Sequence, residues 1–134
     1  MLALGGMLAL STGAAALPPC SPEQLLAPDG VGFAWFGNAI ALSGDTMVVG
    51  AYRDPELFST GGAVYVRRWN GSAWVQEAKL QPPDGAAEDE FGQSLAFDRD
   101  TVAIGSWQAD GPGGADQGAV YIFVRSPGGT TWTQ

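Results

Sequence analysis

Apolar residues come along this chain in short bursts rather than at helical spacing. Four of them fall within residues 36–42, 46–51, 63–69 and 73–80, each cut off by Gly, Asp, Asn or Pro. Runs of this length bounded by turn residues predict β-strands. Ser43-Gly44-Asp45 predicts a tight turn. Asn70-Gly71 predicts a two-residue hairpin between Trp69 and Ser72, with positive φ at both central positions. Residues 52–61 and 107–117, rich in Gly, Asp and Pro, read as longer loops. In the later apolar run, Val120, Ile122 and Val124 are predicted to face one way, and Tyr121 and Phe123 the other. A sheet with one wet face alternates cleanly between apolar and polar residues. Apolar residues on both faces predict a sheet stacked between two neighbours.

The same pattern is written twice. Asp29-Gly30, Phe36-Gly37, Asp45-Thr46 and Val49-Gly50 return 55 residues later as Asp84-Gly85, Phe91-Gly92, Asp100-Thr101 and Ile104-Gly105. Gly62-Ala63-Val64-Tyr65 returns after 56 residues as Gly118-Ala119-Val120-Tyr121, and Trp74 after 58 as Trp132. One order of anchors with small loop insertions marks an internal repeat, and each unit predicts four antiparallel strands. Phe36 and Phe91 then stand as equivalent core anchors, each followed by a Gly that admits close backbone approach.

Composition narrows the chemistry. Gly (20) and Pro (9) make up more than a fifth of the 134 residues, which suits many turns and few helices. The net charge is −8, and the six basic residues are scattered, so no positive patch is present for nucleic acid. Histidine is absent, which removes the commonest general base and metal ligand. Cys20 stands alone, so an internal disulfide is excluded.

Residues 1–20 differ from the rest. No charge occurs in residues 1–17, and Ala14-Ala15-Ala16 fits the small-residue site of a secretory signal. Leu2 follows Met1 with no Lys or Arg ahead of the apolar run, as expected of a start inside a longer signal. Pro19 before Cys20 is not the small residue a lipobox takes, so Cys20 reads as a free cysteine in a Pro-rich linker. The expected organisation is a signal-like segment and linker (1–20), a first repeat (21–79), and a second repeat (80–134) stopping within its last strand.

Phe-Gly, a turn with Asp-Thr, Val-Gly-Ala, a loop and Gly-Ala-Val-Tyr-Val together resemble the FG-GAP repeat. Phe36-Gly37 and Phe91-Gly92 match its first element, while Gly50-Ala51-Tyr52 and Gly105-Ser106-Trp107 carry Tyr and Trp in place of Pro. The resemblance spans residues 25–134 and implies an all-β fold: two four-stranded antiparallel blades of a β-propeller-like array, in an incomplete ring. It also implies integrin α-like surface or secreted proteins, some with a calcium loop between the first two strands. The matching positions, Ser43-Gly44-Asp45 and Asp98-Arg99-Asp100, are turns too tight for six to eight oxygen ligands. No cofactor is therefore expected. The acids Asp84, Glu88, Asp89, Glu90, Asp110 and Asp116 read as solvated loops.

The Asn70-Gly71-Ser72 sequon is accounted for by the turn, and Trp74 and Trp132, being equivalent, read as packing residues. Trp35 and Trp107 lack a Trp counterpart in the other repeat and are the surface-contact candidates. The leading expectation is an exported or cell-surface, non-enzymatic module that binds a protein or glycan, touching the membrane only through export or anchoring. The alternatives are the propeller portion of a secreted carbohydrate-active enzyme whose catalytic residues lie elsewhere, or a truncated structural remnant. Two blades cannot close a ring, so self-association is expected through bare outer faces carrying Val64, Val66, Ile122 and Phe123.

Overall fold

Short apolar runs interrupted by Gly and Asp leave room for strands of a few residues, and the computed structural model, which describes residues 23–57 and 59–134, contains only these. The signal-like segment and Cys20 lie outside the described residues. Strands β1 (Ile40–Ser43), β2 (Thr46–Ala51), β3 (Ala63–Trp69) and β4 (Trp74–Leu80) form one antiparallel sheet in sequential order. Strands β5 (Ser94–Asp98), β6 (Thr101–Ser106), β7 (Ala119–Arg125) and β8 (Trp132–Thr133) form the second in the same order. The fold is all-β, with two four-stranded sheets that do not close into a ring.

Repetition reaches the backbone even where side chains differ. Phe33 and Glu88 have φ of 69° and 71°, Trp35 and Glu90 57° and 53°, and Thr60 and Asp116 52° and 54°. These left-handed residues explain why the first strand begins at Ile40 rather than Phe36. Left-handed φ at Phe33, Trp35 and Gly37 turns the chain out of the extended form, and Asn38 N–H closes a turn onto Trp35 O at 3.3 Å. The β3–β4 connection also departs from expectation. Trp69 pairs with Trp74, so the loop is the four residues 70–73, and only Gly71 has positive φ. Asn70 Oδ1 accepts from the N–H groups of Ser72 and Ala73 at 3.0 and 2.9 Å, replacing the expected two-residue turn with an Asn-centred one.

The main core lies between the sheets. Val48, Val64, Val66 and Leu80 of the first meet Val102, Ile104, Tyr121 and Phe123 of the second, with Phe91 fully buried among them. Val64, Val66 and Phe123 are therefore corrected from the outer faces to this junction. Ile122 does stand on an outer face, beside Val120 and Val124. The opposite outer face, with Ala51, Ala63 and Tyr65, is closed by the preceding chain through Ala27 and Phe36. Phe36 meets Tyr65 edge-on at 5.3 Å, as Phe91 meets Tyr121 at 5.4 Å.

Polar clamps reinforce the junction. The Glu77 side chain is buried and accepts Trp132 Nε1–H at 2.9 Å, with Arg125 Nη1 at 3.3 Å from its carboxylate. Arg125 also holds Asp100 at 2.7 Å and donates to Thr46 Oγ1 at 3.2 Å. Trp132 thus packs as expected, against Phe97 at 6.2 Å, and Trp74 against Trp69 at 5.7 Å.

Candidate functional site

The residues that follow β2 and β6, and those that precede β1 and β5, gather at one end of the sheets. Trp35 lies before β1 and Trp107 directly after β6, each 56 % exposed. A continuous row of contacts joins them. The Trp35 ring lies 6.3 Å from Tyr52 at a 41° tilt, and the Arg53 guanidinium sits 5.5 Å over the Tyr52 ring. Arg53 Nη2 pairs with Glu90 Oε1 at 3.4 Å, and Trp107 donates Nε1–H to Glu90 Oε2 at 2.6 Å. Gln93 adds a second hydrogen bond to the same carboxylate oxygen at 3.4 Å.

The fold therefore brings both sequence-selected tryptophans into one row, spanning both sheets. Tyr52, Arg53 and Glu90 were not selected by sequence reasoning. Their signal was present in the repeat: Tyr52 stands 55 residues before Trp107, and Trp35 55 before Glu90. The aromatic–aromatic pair of the first repeat becomes a carboxylate–indole pair in the second. Aromatic rings with an adjacent guanidinium and carboxylate offer apolar area with directional polar groups, the combination that interfaces favour.

A second cluster lies on the first sheet. Lys79 Nζ is held by Asp29 at 2.6 Å, by Asp54 at 3.1 Å and by Glu56. The Tyr65 hydroxyl lies 2.6 Å from Asp29 and 2.7 Å from Asp54, with Lys79 Nζ 4.9 Å from its ring centre. Burial acts to raise the Asp29 carboxyl, but the bonds from Lys79 and Tyr65 outweigh it and hold Asp29 below the usual range. Burial and the Asp29 carboxylate push the Tyr65 phenol up; Lys79 is raised against its own burial by the carboxylates around it. The three carboxylates thus surround a fixed ammonium.

The remaining acids are distributed rather than convergent. Asp45 binds Arg68 at 3.1 Å, Asp100 binds Arg125, and Asp110 Oδ1 accepts the Asp116 N–H at 3.0 Å. Asp98 is exposed beside Arg99, Asp89 caps the Ala86 N–H at 2.7 Å, and Asp84 lies by Tyr121. Among the described residues no group of three or more His, Cys, Asp or Glu is arranged to hold a metal ion.

Comparison with curated proteins finds no match. The model of the FG-GAP repeat matches twice, over residues 22–67 and 74–123. Each match carries one Phe-Gly, at 36–37 and 91–92, and one Gly-Ala-Val-Tyr, at 62–65 and 118–121. With the doubled four-stranded sheets and repeated backbone turns, these matches establish that the chain belongs to the FG-GAP repeat family.

Proposed function

We propose that the chain serves as an exported or cell-surface, non-catalytic module of the β-propeller type, whose Trp35-to-Trp107 row contacts a protein or glycan ligand. FG-GAP repeats typically occur in extracellular or cell-surface proteins and are generally non-catalytic, which supports the reading. So does the uncharged, small-residue-rich stretch at residues 1–17. The observation that carries it is the row itself: two half-exposed indoles joined through Tyr52, Arg53 and Glu90 across both sheets. Rings this exposed are held in place by neighbours and lose little freedom on contact, which favours them as binding anchors.

The test uses the full chain, labelled and applied to printed arrays of oligosaccharides and of secreted proteins. Binding to members of one array is expected, and the double variant W35A/W107A should weaken it. Loss of an anchoring aromatic costs about 2 kcal/mol or more, roughly thirtyfold in Kd. Far-UV circular dichroism of the variant should match the parent. Binding that survives the double substitution, or no binding on either array, would refute the proposal.

A further inference from the structure

At the junction between the sheets, Phe91-Gly92 sits in a seat made by the first sheet. Phe91 bridges Gly62 and donates its N–H to Gly61 O at 2.9 Å. Asn38 Nδ2 donates to Gln93 O at 3.0 Å. The Gly92 carbonyl comes so close to Gly50 that a Cβ there would run into it. Gly50 has no left-handed φ to explain its identity, so its bare Cα serves the visiting backbone.

The second sheet carries the same seat with nothing from the described residues in it. Gly105, Gly118 and Val120 are the counterparts of Gly50, Gly62 and Val64. With Ser94 and Trp107 they line an open cleft of about 420 Å³. A Cβ on Gly105 would run into the hydroxyl of Ser94, its own sheet neighbour, rather than into a visiting backbone. Beside the cleft, Val120 and Ile122 are 67 % and 46 % exposed, whereas their counterparts Val64 and Val66 are wholly buried.

The matching plug is at the other end of the molecule. Phe36-Gly37 corresponds to Phe91-Gly92, with φ of 92° at Gly37 and 94° at Gly92. Ile40 and Leu42, each 61 % exposed, correspond to Leu95 and Phe97, which pack on the core. The open face of the second sheet and the exposed Ile40–Leu42 edge of the first are thus the two unlike halves of the one junction already present inside the chain.

We infer that the cleft of the second sheet receives the Phe36-Gly37 edge of a second copy of this chain, so that copies associate head to tail by repeating the internal junction. Pairing two like faces would set Val120 against Val120 and leave every Phe36 plug and every cleft unmatched. An unlike-face contact does not close on itself in a dimer, so association continues to longer species. Trp107 borders both this cleft and the tryptophan row, and the experiment reads association between copies with no other ligand present.

Sedimentation velocity on the full chain, at about 0.15 M salt to screen the net charge of −8, reads the outcome. The sedimentation coefficient of the parent should climb with concentration. V120K/I122K blocks the cleft side and I40K/L42K the plug side, so each alone should remain a monomer. An equimolar mixture of the two retains one good cleft and one good plug, and should stop at a dimer. Should either Lys pair fail to fold by circular dichroism, V120T/I122T and I40T/L42T replace them, with association weakened about tenfold or more. A monomeric parent, a single-face variant that still associates as the parent does, or a mixture that yields no dimer would each overturn the inference. Association through residues outside these faces would survive both variants and is excluded by the same comparison.

Discussion

At equivalent positions of the two repeats, Val64 and Val66 are closed off from water while Val120 and Ile122 stand in it. The strands are the same length, the register to the preceding strand is the same, and the compared residues are β-branched and apolar in both. Only the neighbour differs. The first sheet is covered by the second on one face, and on the other the preceding chain, which Arg67 ties down through Leu26 O at 2.7 Å, covers Ala51, Ala63 and Tyr65. The second sheet is covered on one face only. Full burial of a Val or Ile side chain stabilises by about 1.5–3 kcal/mol, so each exposed counterpart forgoes a large share of that. Burial in this molecule belongs to the stacked pair rather than to the blade.

The sharpest way to break that comparison is at the two phenylalanines. Phe91 is wholly buried, edge-on to Tyr121 and 6.2 Å from Phe123, and removing its ring leaves a cavity on all sides. Phe91→Ala should cost about 3–5 kcal/mol. Phe36 packs against Tyr65 but keeps one side towards solvent, so Phe36→Ala should cost roughly 1–2 kcal/mol. Urea denaturation of the full chain, read at a concentration where it is monomeric, separates the two. Equal losses would mean that the first lead-in segment is packed as tightly as the second, and the asymmetry between the sheets would fail.

A smaller effect should separate the two seat glycines. Gly50→Ala drives a methyl into the Gly92 carbonyl, a backbone atom that can move only with the second sheet, and such overpacking costs about 1–3 kcal/mol. Gly105→Ala displaces only a serine hydroxyl, and Gly in a strand is itself worse than Ala by roughly 0.5–1 kcal/mol. The second substitution should therefore leave stability unchanged within about 0.5 kcal/mol, while blocking any visitor to the cleft. Thermal melts of the two variants compare them directly. A destabilisation by Gly105→Ala as large as that by Gly50→Ala would show that the glycine serves its own sheet.

Strand number, order and the doubled unit were legible because they rest on local signals: apolar runs, turn residues and the return of Phe-Gly and Gly-Ala-Val-Tyr. The direction of Val120, Ile122 and Val124 against Tyr121 and Phe123 was legible too, because the side-chain period of a strand is two. Which of the two faces is covered was not. Val64 and Ile122 look alike as residues, and their difference comes from a sheet packed tens of residues away in the chain. The candidate site divides in the same manner. Trp35 and Trp107 were identifiable by breaking the repeat, but Arg53 and Glu90 join them only once the sheets are stacked. Asn70 shows a local limit: its side chain competes for the backbone N–H groups, and the expected two-residue turn opens into four.

The least visible difference between the sheets concerns their paired tyrosines, and it emerges only in alkali. Tyr121 is buried, and burial followed by the Asp84 carboxylate pushes its phenol up to about 12. Tyr65 is raised as well, by burial and Asp29, but there Lys79 acts in the opposite direction. A phenol raised above its unfolded value near 10 keeps the folded state favoured below pH 10. That contribution is lost progressively as pH rises through the folded value, so for Tyr121 the window is pH 10 to about 12. Tyr121→Phe removes the ionisable group without emptying the core. Its urea midpoint should match the parent at pH 8 to within a small shift, and fall less steeply than the parent's between pH 10 and 12. Tyr65→Phe is the contrasting case, because it also strips a hydrogen bond from the Asp29 and Asp54 carboxylates that hold Lys79. It should lower the midpoint at pH 8 already. Parallel alkaline slopes for Tyr121→Phe and the parent would show that Tyr121 ionises freely and that its face of the junction is open to water.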